Sequence, residues 1–464
     1  MSKLAIVITD GVGYRNFVLS DCIAESQNKF DEVVILSFLP ASVYPESNVR
    51  IIELEAFQEK FKHWFFRKAK EVAHLFNHKK DNLGIQDNLK TNYSTQKNTR
   101  GIATRLIYKL VPYFHSENAI TTYTRWQQKT FSKEPITKQY IDLLEQEKFD
   151  LLLFTHQRPP YIAPLAYAAQ KTNTPIATFI FSWDNLASKG RMASDFNYYL
   201  VWSDLMKNEL LTYYPKLNAK QVEVVGTPQF EPYVLDRFAC HKENFFKAFE
   251  LDNSKKTICF SCGDIATSKN DALYIETICE AYLSKKIPDV NILIRTSPAE
   301  TPERFSSLVK KYPFVKWNYP KWEQARNSHQ EQWSQRIPTI EDVVDLKSIL
   351  QFTDLNINML STMSLDFMCF DKPVINTVFG NEENNLYNDQ RFLGYVHIDY
   401  VVQSNATKIV KNEHELIKAI NLYLSSPSTD SENRKKLLDL QISKPLQGTS
   451  KRIAETVFQW SQNV

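Results

Sequence analysis

Asp354-Leu-Asn-Ile-Asn-Met-Leu-Ser-Thr-Met-Ser-Leu-Asp-Phe-Met-Cys-Phe-Asp-Lys-Pro-Val-Ile375 reads as a strand, a turn, a helix and the opening of a second strand. Leu355–Asn358 is the strand, Ser361 and Thr362 fill the turn, the helix starts near Met363, and Lys372-Pro373 begins the next strand. Strand–helix–strand order is the unit of a doubly wound parallel sheet. Free N–H groups and two hydroxyls at a helix start suit an anion such as a diphosphate. The same hydroxyls also make an ordinary helix cap with no ligand. Asp366, one turn on, is placed to meet a ribose or a structural N–H.

The same alternation extends in both directions. Strands are predicted at Leu4–Thr9, Glu32–Phe38, Arg50–Leu54, Asp150–Thr155, Pro175–Phe181, Tyr198–Trp202 and Val222–Val225. A second series follows at Lys256–Ser261, Val290–Arg295, Phe314–Trp317, Leu355–Asn358, Pro373–Val378 and Tyr395–Ile398. Runs such as Ala-Ile-Val-Ile and Leu-Leu-Leu-Phe are continuous rather than alternating, as in strands covered on both faces. Helical patterns lie between them, among them Ile136–Glu147, Ile162–Lys171, Ala272–Ser284 and Glu413–Leu424.

The series restarts near residue 255, which predicts an α/β protein of two Rossmann-like, doubly wound domains facing across a cleft. The expected division is 1–230 for an acceptor-side domain, 231–445 for a nucleotide-donor domain, and 446–464 for a helix packing back on the first.

Composition narrows the class. With 464 residues, 43% hydrophobic, the chain can fill two sizeable cores, which excludes wholesale disorder. No run approaches the roughly 18 apolar residues of a membrane span. Six cysteines make no disulfide framework, which points to a cytoplasmic, reducing location. Cys259-Phe-Ser-Cys262 has no second pair to complete a zinc site, so neither a metal nor a cofactor is expected.

The net charge of +3 hides a basic insertion: residues 57–113 carry +8 and the remainder −5. Phe57, Phe61, Trp64, Phe65, Val72 and Phe76 fall on one helical face there, with residues 77–104 expected as a mobile polar loop. Attachment to an anionic membrane surface and an ordinary core helix with a solvated basic face are both open readings. Nucleic acid is not an expected partner.

Only ten glycines occur, and several fall at predicted strand ends. Gly11 and Gly13 follow the first strand with Asp10, where a glycine turn lets backbone approach a ligand. Asn16 replaces the third glycine of a dinucleotide fingerprint and no ribose-binding acid ends the second strand, which argues against a nicotinamide or flavin. Phe181-Ser-Trp-Asp-Asn-Leu-Ala-Ser-Lys-Gly190 places Trp183, Asp184, Asn185 and Lys189 in a loop at a strand's C-terminal end. Asp184 is the first candidate for a general base there, or an Asx turn serving its own loop. His156, also after a strand, is the second candidate base or a hydrogen-bonded structural histidine. Glu341 and Asp342 precede a helix, where they could hold a ribose or cap it.

Ser361-Thr-Met-Ser-Leu-Asp366, followed by Lys372-Pro373, resembles the nucleotide-diphosphate motif of GT-B glycosyltransferases. It most closely resembles that of the CDP-glycerol glycerophosphotransferase (teichoic-acid polymerase) group. Trp183-Asp184 with Lys189 stands where that group carries Trp-His-Gly and a Lys. Gly226-Thr-Pro-Gln-Phe-Glu231 is similar to its Gly-x-Pro-Arg-x-Asp, and Ile294-Arg-Thr-Ser-Pro298 to its Arg-x-His-Pro.

The departures are Asp184 and Ser297 at the two His positions and Gln229 at the Arg position. They weaken polyol-phosphate transfer and leave sugar transfer to a hydroxyl as the preferred reading. The resemblance implies a nucleotide-sugar donor bound through Gly263, Arg295, Thr296, Ser361, Thr362 and Asp366. It further implies an inverting, metal-independent reaction on a polysaccharide or lipid-linked acceptor, by a cytoplasmic enzyme on the inner face of the membrane. A CDP-polyol phosphotransferase and a non-catalytic GT-B binding module are the alternatives.

Overall fold

The runs that read as buried strands form two separate parallel sheets. The computed structural model describes residues 2–44, 48–380 and 388–463. It divides into two compact units: Met1–Glu231 with Gln324–Ile337 and Gln441–Val464, and Pro232–Glu323 with Pro338–Leu440. The first unit thus takes a short segment from the middle of the second half.

In the first unit the strands are β1 (Lys3–Ile8), β2 (Glu32–Ser37), β3 (Arg50–Glu53), β4 (Leu151–Phe154), β5 (Ile176–Phe179), β6 (Tyr198–Val201) and β7 (Val222–Val224). Their order is β3-β2-β1-β4-β5-β6-β7, all parallel. Leu4–Ile8 and Leu151–Phe154 are fully buried, as continuous apolar strands covered on both faces must be. Val7 is level with Phe154, so the chain ends of β1 and β4 emerge side by side. Sheet growth reverses direction between these two strands, and open α/β sheets bind ligands in such crevices.

The second unit repeats the plan. Its sheet holds β8 (Thr257–Ser261), β9 (Asn291–Arg295) and β10 (Lys316–Asn318). The paired short strands β11 (Trp322–Gln324) and β12 (Arg336–Pro338) then carry the chain out of this unit and back. The sheet resumes with β13 (Leu355–Asn358), β14 (Val374–Thr377) and β15 (Lys408–Val410), in the order β10-β9-β8-β13-β14-β15. Here the reversal lies between β8 and β13. The strand expected at Tyr395–Ile398 is instead the start of a helix, Val396–Ser404, and the edge position goes to β15. Its β-branched and aromatic residues favour extended backbone only weakly, and tertiary context overrides that preference.

The basic block is also more ordered than its polarity implies. Residues 77–104, expected as a loop, contain the helix Leu83–Asn92 and the start of Thr99–Leu110. Asn82 and Asn98 cap them by accepting from the N–H of Ile85 and of Gly101. Both pack with Phe61–His78 around Val72, Leu75, Ile85 and Ile107. Many of the block's cations are used internally: Lys60 and Lys62 on Glu134, Arg67 between Glu59 and Glu71, and buried Lys70 on the Ala193 carbonyl.

The final helix, Thr449–Ser461, lies in the first unit with Ile453, Ala454 and Val457 buried. Glu231 accepts from the Ser450 N–H at 2.9 Å, and Trp460 stacks on Tyr198. Among the described residues no helix is long and apolar enough to cross a membrane.

Candidate functional site

The β1/β4 reversal brings together two residues 146 apart in sequence. Asp10 follows β1 and caps the helix Gly11–Phe17, accepting from the Gly13 N–H at 2.8 Å. Its other oxygen lies 2.9 Å from Nδ1 of His156, which follows β4. Thr9 donates its hydroxyl to the same oxygen. Burial by itself raises the Asp10 carboxyl, but His156, the Gly13 N–H and Thr9 together hold it below its ordinary value. Burial lowers His156, and Asp10 only partly offsets that.

The pair is therefore a carboxylate and a neutral imidazole. Since the carboxylate only accepts, Nδ1 carries the proton and Nε2 keeps its lone pair. Among the described residues Nε2 makes no hydrogen bond, and the ring lies flat on Phe181 with centroids 3.9 Å apart. An imidazole so held is a base with its orientation and tautomer set. Glu331, from the inserted segment, adds to this electrostatic field: burial pushes it up to about 7 against the opposing pull of Arg67.

The glycines beside Asp10 are packed closely by the chain itself. A Cβ on Gly11 would come 1.7 Å from the Arg336 carbonyl oxygen, and one on Gly13 would come 2.6 Å from the Thr155 hydroxyl. The close approach at these positions is by the chain itself.

Asp184, the first candidate base, opens the short helix Asn185–Ser188. Its carboxylate accepts from the Asn185 side chain at 3.1 Å and lies 3.4 Å from Lys189 Nζ. Asn185 in turn accepts from Gln157, and Trp183 is buried. Asp184 also faces Glu209, which burial and that charge push up to about 7. These residues form a cross-linked loop that is joined to the Asp10–His156 pair through Gln157 and Phe181.

At the β8/β13 reversal of the second unit, Leu360 takes a left-handed φ of +48° and turns the chain into the helix Met363–Met368. Asn358 accepts from the Ser361 N–H at 2.8 Å, and the Ser361 hydroxyl accepts from the Met363 N–H. Beneath them Asn356, Asn358, Asn376, Ser261 and Ser364 form a buried hydrogen-bonded ladder that stiffens the turn. Gly263, after β8, donates its N–H to Asp271 and gives its carbonyl to Arg304.

Three of the expected donor residues, Arg295, Asp366 and Thr296, have partners within the protein. Arg295 is buried with both Asp342 oxygens at 3.1 and 2.9 Å from its Nη2. Asp342 also accepts from the Lys321 N–H and the Trp322 indole. Asp366 is buried and bonded by the Tyr233 hydroxyl. Thr296 is buried, its N–H bonded to the Asn318 carbonyl. Ser361, Thr362 and Gly263 remain at the strand ends, partly exposed.

One cluster among the described residues has metal-ligating chemistry: His74, His78 and Glu117, within 4.8 Å of one another. Arg191 already pairs with Glu117 at 3.1 Å, and its charge with burial holds both histidines down, His78 to about 4. A further cation there meets that guanidinium, so the cluster reads as part of the core's ion pairing.

Residues 293–459 match the family described as CDP-Glycerol:Poly(glycerophosphate) glycerophosphotransferase. No curated protein sequence matches the chain with significance. Among solved structures it is similar to a UDP-GlcNAc 2-epimerase from Neisseria meningitidis bound to UDP-GlcNAc, at 13% identity and a TM-score of 0.53, over 99% of this chain and 100% of that one. A glycosyltransferase from Rickettsia africae matches at 13% identity and 0.53, over 100% and 99%. The wall teichoic acid polymerase TagF matches at 9% identity and 0.50, over 100% and 89%. The chain therefore has the GT-B fold and lies near the CDP-glycerol glycerophosphotransferase group, as its motifs suggested. The family match over residues 293–459 suggests a transferase.

Proposed function

We propose that the protein transfers a sugar from a nucleotide diphosphate donor to an acceptor hydroxyl, with His156 as general base and Asp10 as the residue that positions it. The observation that carries this reading is the Asp10–His156 pair at a sheet reversal, with Nε2 unbonded among the described residues. Nε2 takes the hydroxyl proton, the oxygen attacks the anomeric carbon, and the bond from that carbon to the diphosphate oxygen breaks. A single displacement of this kind inverts the anomeric centre. Ser361, Thr362 and Gly263, at the reversal in the second unit, are the residues we assign to the donor's diphosphate. Hydroxyl groups there stabilise the leaving charge. The acceptor would be a polysaccharide or a lipid-linked saccharide.

The family match over residues 293–459 favours a second reading, attack of the same activated hydroxyl on a CDP-polyol. The two differ in what leaves. Sugar transfer cleaves the carbon–oxygen bond and releases a nucleoside diphosphate; polyol-phosphate transfer cleaves the diphosphate and releases CMP. Offering UDP-sugars and CDP-glycerol in parallel and identifying the released nucleotide separates them. Binding of nucleotide without turnover on any acceptor would overturn both.

A further inference from the structure

We infer that the outward face of the helix Thr99–Leu110, with the aromatic turn that follows it, docks on a bilayer surface carrying anionic lipid. The helix has two apolar faces. Ala103, Ile107 and Val111 at its end point into the first unit and are buried. Ile102, Leu106 and Leu110, spaced four apart, point the other way and are 57%, 48% and 49% exposed. Tyr113 and Phe114 continue the ridge at 81% and 60% exposed. A solvated helix face is ordinarily polar, so a row of large apolar side chains backed by a packed core calls for a partner.

Charge identifies that partner. From Asn88 to Ser116 there are five Lys or Arg residues and no acid. Lys97 and Lys109 are exposed, and among the described residues neither pairs with an acid. Lys109 shares the outward face with the apolar row, and Arg105 beside it bonds only to the carbonyls of Ser94 and Gln96. Apolar side chains that enter the headgroup layer, aromatic side chains at its edge and flanking cations are the recognition chemistry of an anionic membrane surface. Lys60, Lys62 and Arg67, consumed by Glu59, Glu71 and Glu134, take no part, which narrows the surface from the whole basic block to one helix face.

The test is flotation of the full chain with phosphatidylcholine vesicles, with and without phosphatidylglycerol. Wild type should float with the anionic vesicles and be released by high salt. Leu106→Glu with Leu110→Glu should abolish flotation and leave the far-UV spectrum and thermal midpoint unchanged, because both side chains face outward. Lys97→Gln with Lys109→Gln should weaken anionic binding about 25-fold, at roughly fivefold per charge. Failure of wild type to float with either vesicle, or equal flotation of the Glu variant, overturns the inference. A dimer in solution that the Glu variant splits into monomers would assign the face to a second copy and overturn it as well. Vesicle binding needs no donor or acceptor, so the result stands apart from that of the transfer assays.

Discussion

The sheet reversal of the first unit and the strand-end region of the second carry similar residue types and use them in opposite ways. In the first unit, Asp10 takes one nitrogen of His156 and, among the described residues, the other makes no hydrogen bond. In the second, Asp342 takes the guanidinium of Arg295, and Tyr233 takes a carboxylate oxygen of Asp366. One pairing presents a reactive atom and the other consolidates a turn. A charged residue at a strand end is thus a site candidate only if its own partners leave an atom to react.

The sharpest way to break this comparison is His156→Ala. Loss of a general base should cost about 10²–10⁴-fold in kcat at pH 7 with little change in thermal midpoint. An unchanged rate would make the pair a structural one. Arg295→Ala should act on the other axis, leaving Asp342 buried without its cation at about 3–5 kcal/mol of stability, seen in denaturant unfolding. A normal midpoint with a raised donor KM would restore Arg295 as a ligand.

Asp10→Asn tests the positioning role through pH. Asp10 raises the His156 pKa against the lowering by burial, so wild type should lose kcat/KM only below the ordinary histidine value. Without the carboxylate the imidazole pKa falls further, and the acid limb should move to lower pH while the plateau drops. A plateau loss with no shift of the limb would argue against a charge-mediated role. Asp184→Asn should have the smallest effect, less than about threefold in kcat, because its carboxylate is held by Asn185 and Lys189 and His156 supplies the base. A loss as large as that of His156→Ala would return Asp184 to the first rank.

Much of the fold was legible because strands buried on both faces are written as unbroken apolar runs, and both sheets follow from their order. The helices at Leu83–Asn92 and Thr99–Leu110 were hidden by polarity, although Asn82 and Asn98 supplied the capping signal. Tyr395–Ile398 reads as a strand because local propensity favours one, and only the packing decides for a helix. Both Asp10 and His156 were visible as residues after strands. Their partnership was not, since it depends on β1 lying beside β4, a fact of topology rather than of spacing. The same holds for Arg295 and Asp342, 47 positions apart.

The segment Gln324–Ile337 interrupts the second unit in sequence and the final helix follows all of it, yet both belong to the first. On the ribosome, the second unit's last residue, Leu440, emerges before the helix Thr449–Ser461 that completes the first. At roughly 5–20 residues per second, the first unit waits about 10–50 s after Glu231 is made before all its parts exist. Over that interval the face that Ile453 and Val457 later cover is bare, a period in which a nascent-chain chaperone has something to hold.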